Sequence, residues 1–394
     1  MRIICASLIC LLFLPACLRR AETGVNADTV DNPRIEEPSA ADPVQIRAME
    51  IASSLDDRLL AAQVLICGID GKGTLPIHIK ILLEEIPAGG IMLFRYNLDT
   101  DSGSTRTFLG ETASLVTGVS GVPPFIAVDH EGGTVNRFPR GVASLPAAHS
   151  YWEFFLKEGR SAALSKIEAD SLRAGREINS LGINLNFAPV AEFIFSGNRD
   201  FLESRSYGPD PVFTAEAAAA FIRGMEQAEV LCVVKHFPGS TGPDPHYSAS
   251  VITGDAEILA NLVYPFAELV KNGARAVMVA HTAVPSVDSE IASLSSVVMG
   301  DWLRGGLGFD GIIISDDFTM AAAGGAKSEE ATIRSIAAGA DMVLVWPSDL
   351  RRTHRAFVSA LEDGRLSRER LRDAAARVIY EKLRMGLIEV KNEK

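Results

Sequence analysis

Eight short apolar, β-rich runs recur along this chain, at residues 63–69, 90–94, 125–128, 183–189, 231–236, 276–281, 311–315 and 341–346. Most are apolar at consecutive positions rather than at alternate ones. That pattern belongs to strands covered on both faces, as in a parallel sheet. Stretches with helical spacing, such as residues 161–180 and 215–227, lie between them. Parallel neighbours need crossover connections, and helices supply them. Eight such units predict a single α/β domain closed into a (β/α)₈ TIM-type barrel. A doubly wound open sheet is the alternative, but no GxGxxG follows the first run.

The C-terminal ends of these runs are polar in a selective way. The third ends in Asp129-His130-Glu131, the fifth in Lys235-His236, the sixth in His281 and the seventh in Asp316-Asp317. In a barrel these ends converge on one face, which carries the active site. Adjacent strand residues point to opposite faces, so only one of Asp316 and Asp317 can aim into the mouth. The sequence leaves open which one. A loop after the fifth run carries Asp244-Pro245-His246. An Asp two residues from a His can orient an imidazole for acid/base work, and the same residues also suit an ordinary turn. Asp129, Arg137, Arg205 and Lys235 have the donors and acceptors to hold sugar hydroxyls; surface ion pairs are the plainer use of the two arginines. His78, His149 and His354 read as structural.

The N-terminus has the marks of a targeting segment. Arg2 precedes an apolar run at residues 3–14, which ends in Leu14-Pro15-Ala16-Cys17. A small residue before Cys at the end of such a run fits a bacterial lipobox, with Cys17 the acylated residue. An uncleaved anchor, or plain cleavage beside an incidental Cys, is the alternative. The expected organisation is a lipoprotein signal peptide at 1–17, a flexible polar linker at 18–44 and the barrel at 45–394. An exported, lipid-anchored, monomeric protein follows, touching the membrane only through its anchor. The net charge is −12, from 38 basic and 50 acidic residues, which argues against nucleic acid as a partner. Outside the targeting segment the cysteines are Cys67 and Cys232, both inside apolar runs, where buried free thiols are expected. No Cys/His cluster has metal-ligand spacing, and no metal or cofactor is expected.

Ordered motifs then point to a family. They are GGIMLF, AVDHEGG followed by V.RFP, GINLNFAPV, SRSYG, KHFPG, VMVAHTAVPSVDSEIASLS, LGFDGIIISDDFTM and AAGADMVL. Together they resemble the single-domain bacterial β-N-acetylhexosaminidases of glycoside hydrolase family 3, over residues 63–387. The resemblance implies the same barrel, with Asp316 as the nucleophile of a retaining reaction. It implies that His246, backed by Asp244, is the acid/base. Asp129, Arg137, Arg205, Lys235 and His236 would hold a terminal N-acetylglucosamine, the small carbohydrate partner. Several positions depart from the family pattern. Ser240 stands where a second His is usual, Pro245 where Ser is usual, Glu192 where Asp is usual, and the sequence around Asp129 reads DHEGGT rather than DQEGGR. The loop to His246 is also shorter.

The expected activity is exo-hydrolysis of terminal β-linked N-acetylglucosamine from peptidoglycan fragments or chitin-like oligosaccharides. The alternatives are another β-glycoside specificity, phosphorolysis, a catalytically weak sugar-binding lipoprotein, and a structural lipoprotein on the same scaffold.

Overall fold

The computed structural model describes residues 42–99, 101–139, 141–242, 247–253, 256–319 and 328–389. Cys17, Asp244 and His246 lie outside the described residues, as do residues 1–41. Every predicted run contains a strand. In chain order the strands are β1 (Leu65–Gly68), β2 (Gly90–Leu93), β3 (Phe125–Val128), β4 (Leu185–Asn186), β5 (Leu231–Cys232), β6 (Val234–Phe237), β7 (Ser250–Val251), β8 (Ala276–Val279), β9 (Thr282–Ala283), β10 (Ile312–Ser315) and β11 (Val343–Val345). β5 and β6 are two pieces of one run, interrupted at Val233. β7 and β9 form a separate short pair.

The strands are parallel. One sheet has the order β11-β1-β2-β3-β4-β5, and another the order β10-β8-β6. A bridge between Ile314 and Met342 joins β10, an edge of the second sheet, to the residue before β11, and a bridge between Val190 and Lys235 joins the segment after β4 to β6. The Ser315 N–H donates to the Met342 carbonyl at 3.0 Å.

Helices lie outside the strands: α1 (Pro43–Ser54), α2 (Asp57–Gln63), α3 (Ile77–Glu85), α4 (Ser102–Ser120), α5 (Ala148–Glu158), α6 (Arg160–Ser180), α7 (Arg199–Leu202), α8 (Pro211–Glu226), α9 (Ala256–Lys271), α10 (Ser328–Ala338), α11 (Pro347–Glu362) and α12 (Arg368–Arg384). The expected helical stretch at 161–180 coincides with α6. The stretch at 215–227 starts earlier than its apolar spacing suggested, because Asp210 caps the helix and Pro211 opens it. The same chemistry corrects the linker boundary. Asp42 accepts from the Val44 N–H at 2.9 Å as the cap and Pro43 is the first helical residue, so α1 begins inside the stretch expected as linker.

Two apolar layers separate cleanly by strand parity. Ile66, Met92, Ala127, Leu185, Val233, Met278, Ile314 and Met342 pack together in the interior between the strands. Their neighbours Cys67, Ile91, Val128, Cys232, Val277, Ile313 and Val343 join the larger cluster shared with the helices. Cys67 and Cys232 are buried free thiols there, as expected. At the N-terminal ends of the strands, Val378 of α12 enters the interior cluster and Lys382 lies over the Phe125 ring. One end of the interior is therefore plugged by α12, which leaves the C-terminal strand ends to form a pocket.

Candidate active site

Strand parity decides which side chains reach that pocket. Two residues beyond Ala127, Val233 and Ile314, on the same side of their strands, stand Asp129, Lys235 and Asp316. All three line one pocket of ≈ 180 Å³ together with Glu131, Arg137, Arg205, His236 and His281. The volume is below the roughly 300–1,000 Å³ of drug-sized sites, so it suits a single ring rather than an oligomer. Parity would turn His236 away from Lys235, but the pairing register slips between Val234 and Phe237 and both side chains face the pocket.

A buried charge network fills one wall. Lys235 Nζ lies 2.8 Å from Asp129 Oδ1 and 2.7 Å from Glu131 Oε1. Arg205 grips Glu131 through the Nε and Nη2 N–H groups of one guanidinium edge, at 2.8 and 2.9 Å, and lies over the Phe201 ring. Arg137 Nη2 donates to Asp129 Oδ2 at 3.3 Å. Burial alone would raise the Glu131 carboxyl, but Lys235 and Arg205 overcome it and hold the group well below the usual range. Asp129 follows the same logic: burial opposes ionisation, and Lys235 and Arg137 win. Burial also works against the Lys235 ammonium, and its two carboxylates raise it regardless. The wall is thus ionised throughout, with fixed donors and acceptors at the mouth of the strands.

A second unit orients His236. Its Nδ1 lies 2.7 Å from Glu192 Oε1, and Glu192 is fully buried. The other oxygen of Glu192 accepts from the Ser240 hydroxyl at 2.5 Å. Glu192 and Ser240, two of the departures from the family pattern, therefore meet in one hydrogen-bonded group. Burial works against the Glu192 charge, and His236 with Ser240 brings its carboxyl below the usual range. Across the pocket, His281 Nε2 faces the Asp317 carbonyl at 2.9 Å and Nδ1 faces the Ser293 hydroxyl at 2.7 Å. A carbonyl only accepts, so Nε2 carries the proton. Burial lowers this imidazole below its usual range, against the opposing pull of Asp316.

Asp316 and Asp317 divide as strand alternation requires. Asp316 faces the pocket, where its Oδ1 accepts the Asp317 N–H at 2.8 Å. Asp317 turns to the rim, and its Oδ2 accepts from Trp346 Nε1 at 2.8 Å. The side chains of Asp129, Arg137, Arg205, Lys235, His236 and Asp316 are thus brought together. The Arg137 and Arg205 ion pairs are part of this pocket and not of the outer surface. Glu131 was overlooked among the candidates; two positions after Asp129, it shares that residue's side of the chain. Among the described residues no cluster of three His, Cys, Asp or Glu side chains could hold a metal. A larger groove of ≈ 410 Å³ lies on the outer helices, lined by Val212, Arg223, Tyr264 and Glu268, and shares no lining residue with this pocket. Convergent buried charge favours the smaller pocket as the site.

Comparison with known proteins agrees with this geometry. Residues 75–380 match the model of the glycosyl hydrolase family 3 N terminal domain. A β-hexosaminidase of Xylella fastidiosa (strain 9a5c) is 33% identical over 291 residues, covering 73% of this chain and 84% of that protein. One from Neisseria meningitidis serogroup C is 35% identical over 273 residues, covering 68% and 73%. Among solved structures, NagZ from Neisseria gonorrhoeae in complex with N-trifluoroacetyl-D-glucosamine superposes with a TM-score of 0.68 at 32% identity, over 80% of this chain and 89% of that one. A family 3 β-N-acetylglucosaminidase from Paenibacillus sp. gives 0.79 at 28% identity, over 86% of this chain and 65% of that one.

Proposed function

The chain belongs to glycoside hydrolase family 3, and from that premise we propose that it is a retaining exo-β-N-acetylhexosaminidase acting on terminal β-linked N-acetylglucosamine. Asp316 attacks C1 of that sugar. A C1–O bond to the enzyme forms as the glycosidic C1–O bond breaks, and a general acid gives its proton to the departing oxygen. His246, backed by Asp244, is the proposed acid; these two residues rest on the sequence alone. In the second step water attacks C1, the same His takes its proton, and Asp316 is released. Asp129, Arg137, Arg205, Lys235 and His236 hold the ring by its hydroxyls. A fixed, ionised wall suits this task because its dipoles need no reorganisation when charge develops on the sugar.

The observation that carries the reading is the meeting of Asp316 with the Asp129–Lys235–Glu131–Arg205 network in one ring-sized pocket. The bridges joining the two sheets further support a closed (β/α)₈ barrel as the scaffold. The decisive experiment is release from a chromogenic β-N-acetylglucosaminide by the wild type and by Asp316→Ala. The variant should be slower by several orders of magnitude. Equal rates would reject Asp316 as nucleophile. Tight binding of N-acetylglucosamine without turnover by the wild type would identify a sugar-binding protein instead.

The natural substrates proposed are peptidoglycan fragments or chitin-like oligosaccharides outside the cytoplasm, with the protein anchored through Cys17. Cys17→Ser should move it from the membrane fraction to the soluble fraction.

A further inference from the structure

The polar wall occupies one side of the pocket, and the opposite arc of strand ends is aromatic. Met92 and Leu344 line the pocket, and two residues beyond them stand Phe94 and Trp346. Phe94 packs against the interior cluster, as parity requires for a residue at the mouth. The strand between them is β1, which pairs with both β11 and β2 and ends at Gly68. A Cβ on Gly68 would lie 3.1 Å from Phe94 Cε2 and 3.9 Å from Trp346 Cε3. With only hydrogen there, the two rings meet across the end of β1, stacked at 5.1 Å and 12°. Tyr96 extends the stack at 5.6 Å and 14°, with half its surface exposed.

This aromatic group is tied to the strand that carries Asp316. The Trp346 indole donates to Asp317, the residue after Asp316, at 2.8 Å. The Asp317 N–H in turn donates to Asp316 Oδ1. The indole is thus held at a fixed setting beside the pocket, although no step of the proposed mechanism uses it. A pocket for one ring leaves the second sugar of an oligosaccharide at the rim. Pyranose faces carry C–H groups of slight positive charge, which favour the electron-rich face of an aromatic ring.

We propose that Trp346, with Phe94 and Tyr96, forms the platform for the leaving-group sugar. The substrate class is then an oligosaccharide in which the terminal N-acetylglucosamine is β-linked to another pyranose, not to a small alcohol. This proposal rests on the glycosidase reading given above. The test compares kcat/KM for N,N′-diacetylchitobiose with kcat/KM for methyl β-N-acetylglucosaminide, in the wild type, Trp346→Leu and Tyr96→Ala. Loss of the stacking face should lower the disaccharide-to-methyl ratio about five- to tenfold, mainly through KM. Tyr96→Ala alters a half-exposed ring, so it carries the same ratio if Trp346→Leu fails to fold. Ratios within about twofold of the wild type, with both substrates still cleaved, overturn the platform and leave the glycosidase reading intact. Wild type that cleaves neither substrate rejects the glycosidase reading and the platform with it.

Discussion

Glu192 reaches Nδ1 of His236 at 2.7 Å while its other oxygen takes the Ser240 hydroxyl. A buried carboxylate thus sets the direction of a pocket imidazole and fixes the Ser240 hydroxyl. Shortening it to Asp removes one methylene, and no single position then serves both partners. Glu192→Asp should raise KM for a β-N-acetylglucosaminide about tenfold, the loss expected for a hydrogen bond to a charged group. Glu192→Gln keeps the length and removes the charge. If orientation of His236 is the point, Gln should recover more affinity than Asp. Steady-state kinetics on the two variants decides it.

Arg205 and Glu131 form a two-bonded ion pair at 2.8 and 2.9 Å, with little solvent access. Lysine cannot reproduce the fork. Arg205→Lys should lower unfolding stability by roughly 2–4 kcal/mol, because Glu131 keeps its charge while losing one partner. Denaturant titration reads the loss. A change under about 0.5 kcal/mol would mean that Lys235 alone satisfies Glu131.

His130 is buried, and burial pushes its imidazole down to about 4. Its Nε2 donates to the Ala143 carbonyl at 2.6 Å, while Nδ1 has no hydrogen-bond partner among the described residues. In the unfolded chain the group titrates near 6.5. Between these values the unfolded state binds more protons, so stability falls as pH drops from about 6.5 to about 4. His130→Gln keeps a donor for Ala143 and does not titrate. Relative to the variant, the wild type should lose on the order of 3 kcal/mol across that window. Parallel pH profiles of the two proteins would expose the idea as wrong.

Lys382 sits inside the fold with its ammonium 3.1 Å from the Gln63 amide oxygen and over the Phe125 ring. Burial lowers it to about 7. The unfolded lysine titrates near 10.4, so the charged form penalises the folded state fully below about 7. The penalty is relieved as pH rises through 7 toward the unfolded value, and stability climbs in that window. Lys382→Met should stabilise the protein by roughly 2 kcal/mol or more at pH 7 and much less at pH 10. Thermal unfolding at both values is the measurement.

The strand runs and the polar character of their ends were legible from residue types alone. Apolar stretches of strand length alternating with helical spacing leave few folds open. The motifs around Asp129, Lys235 and Asp316 identified the pocket residues, yet Glu131 and the Glu192–Ser240 pairing stayed hidden. The apolar pattern left Asp316 and Asp317 indistinguishable, a choice that only the motif resemblance made, and the stack of Phe94 on Trp346 had no sequence signal. The reason is physical. Strands packed against helices on one side and each other on the other are apolar on both faces, so hydrophobicity carries no record of which parity points inward. Ile313 and Ile314 look alike on paper, and only the three-dimensional packing assigns one to the helix layer and the other to the interior. Once Ile314 is inward, Asp316 must face the pocket, and contacts between residues more than a hundred positions apart, such as Lys235 with Asp129, follow from the order in which strands pair.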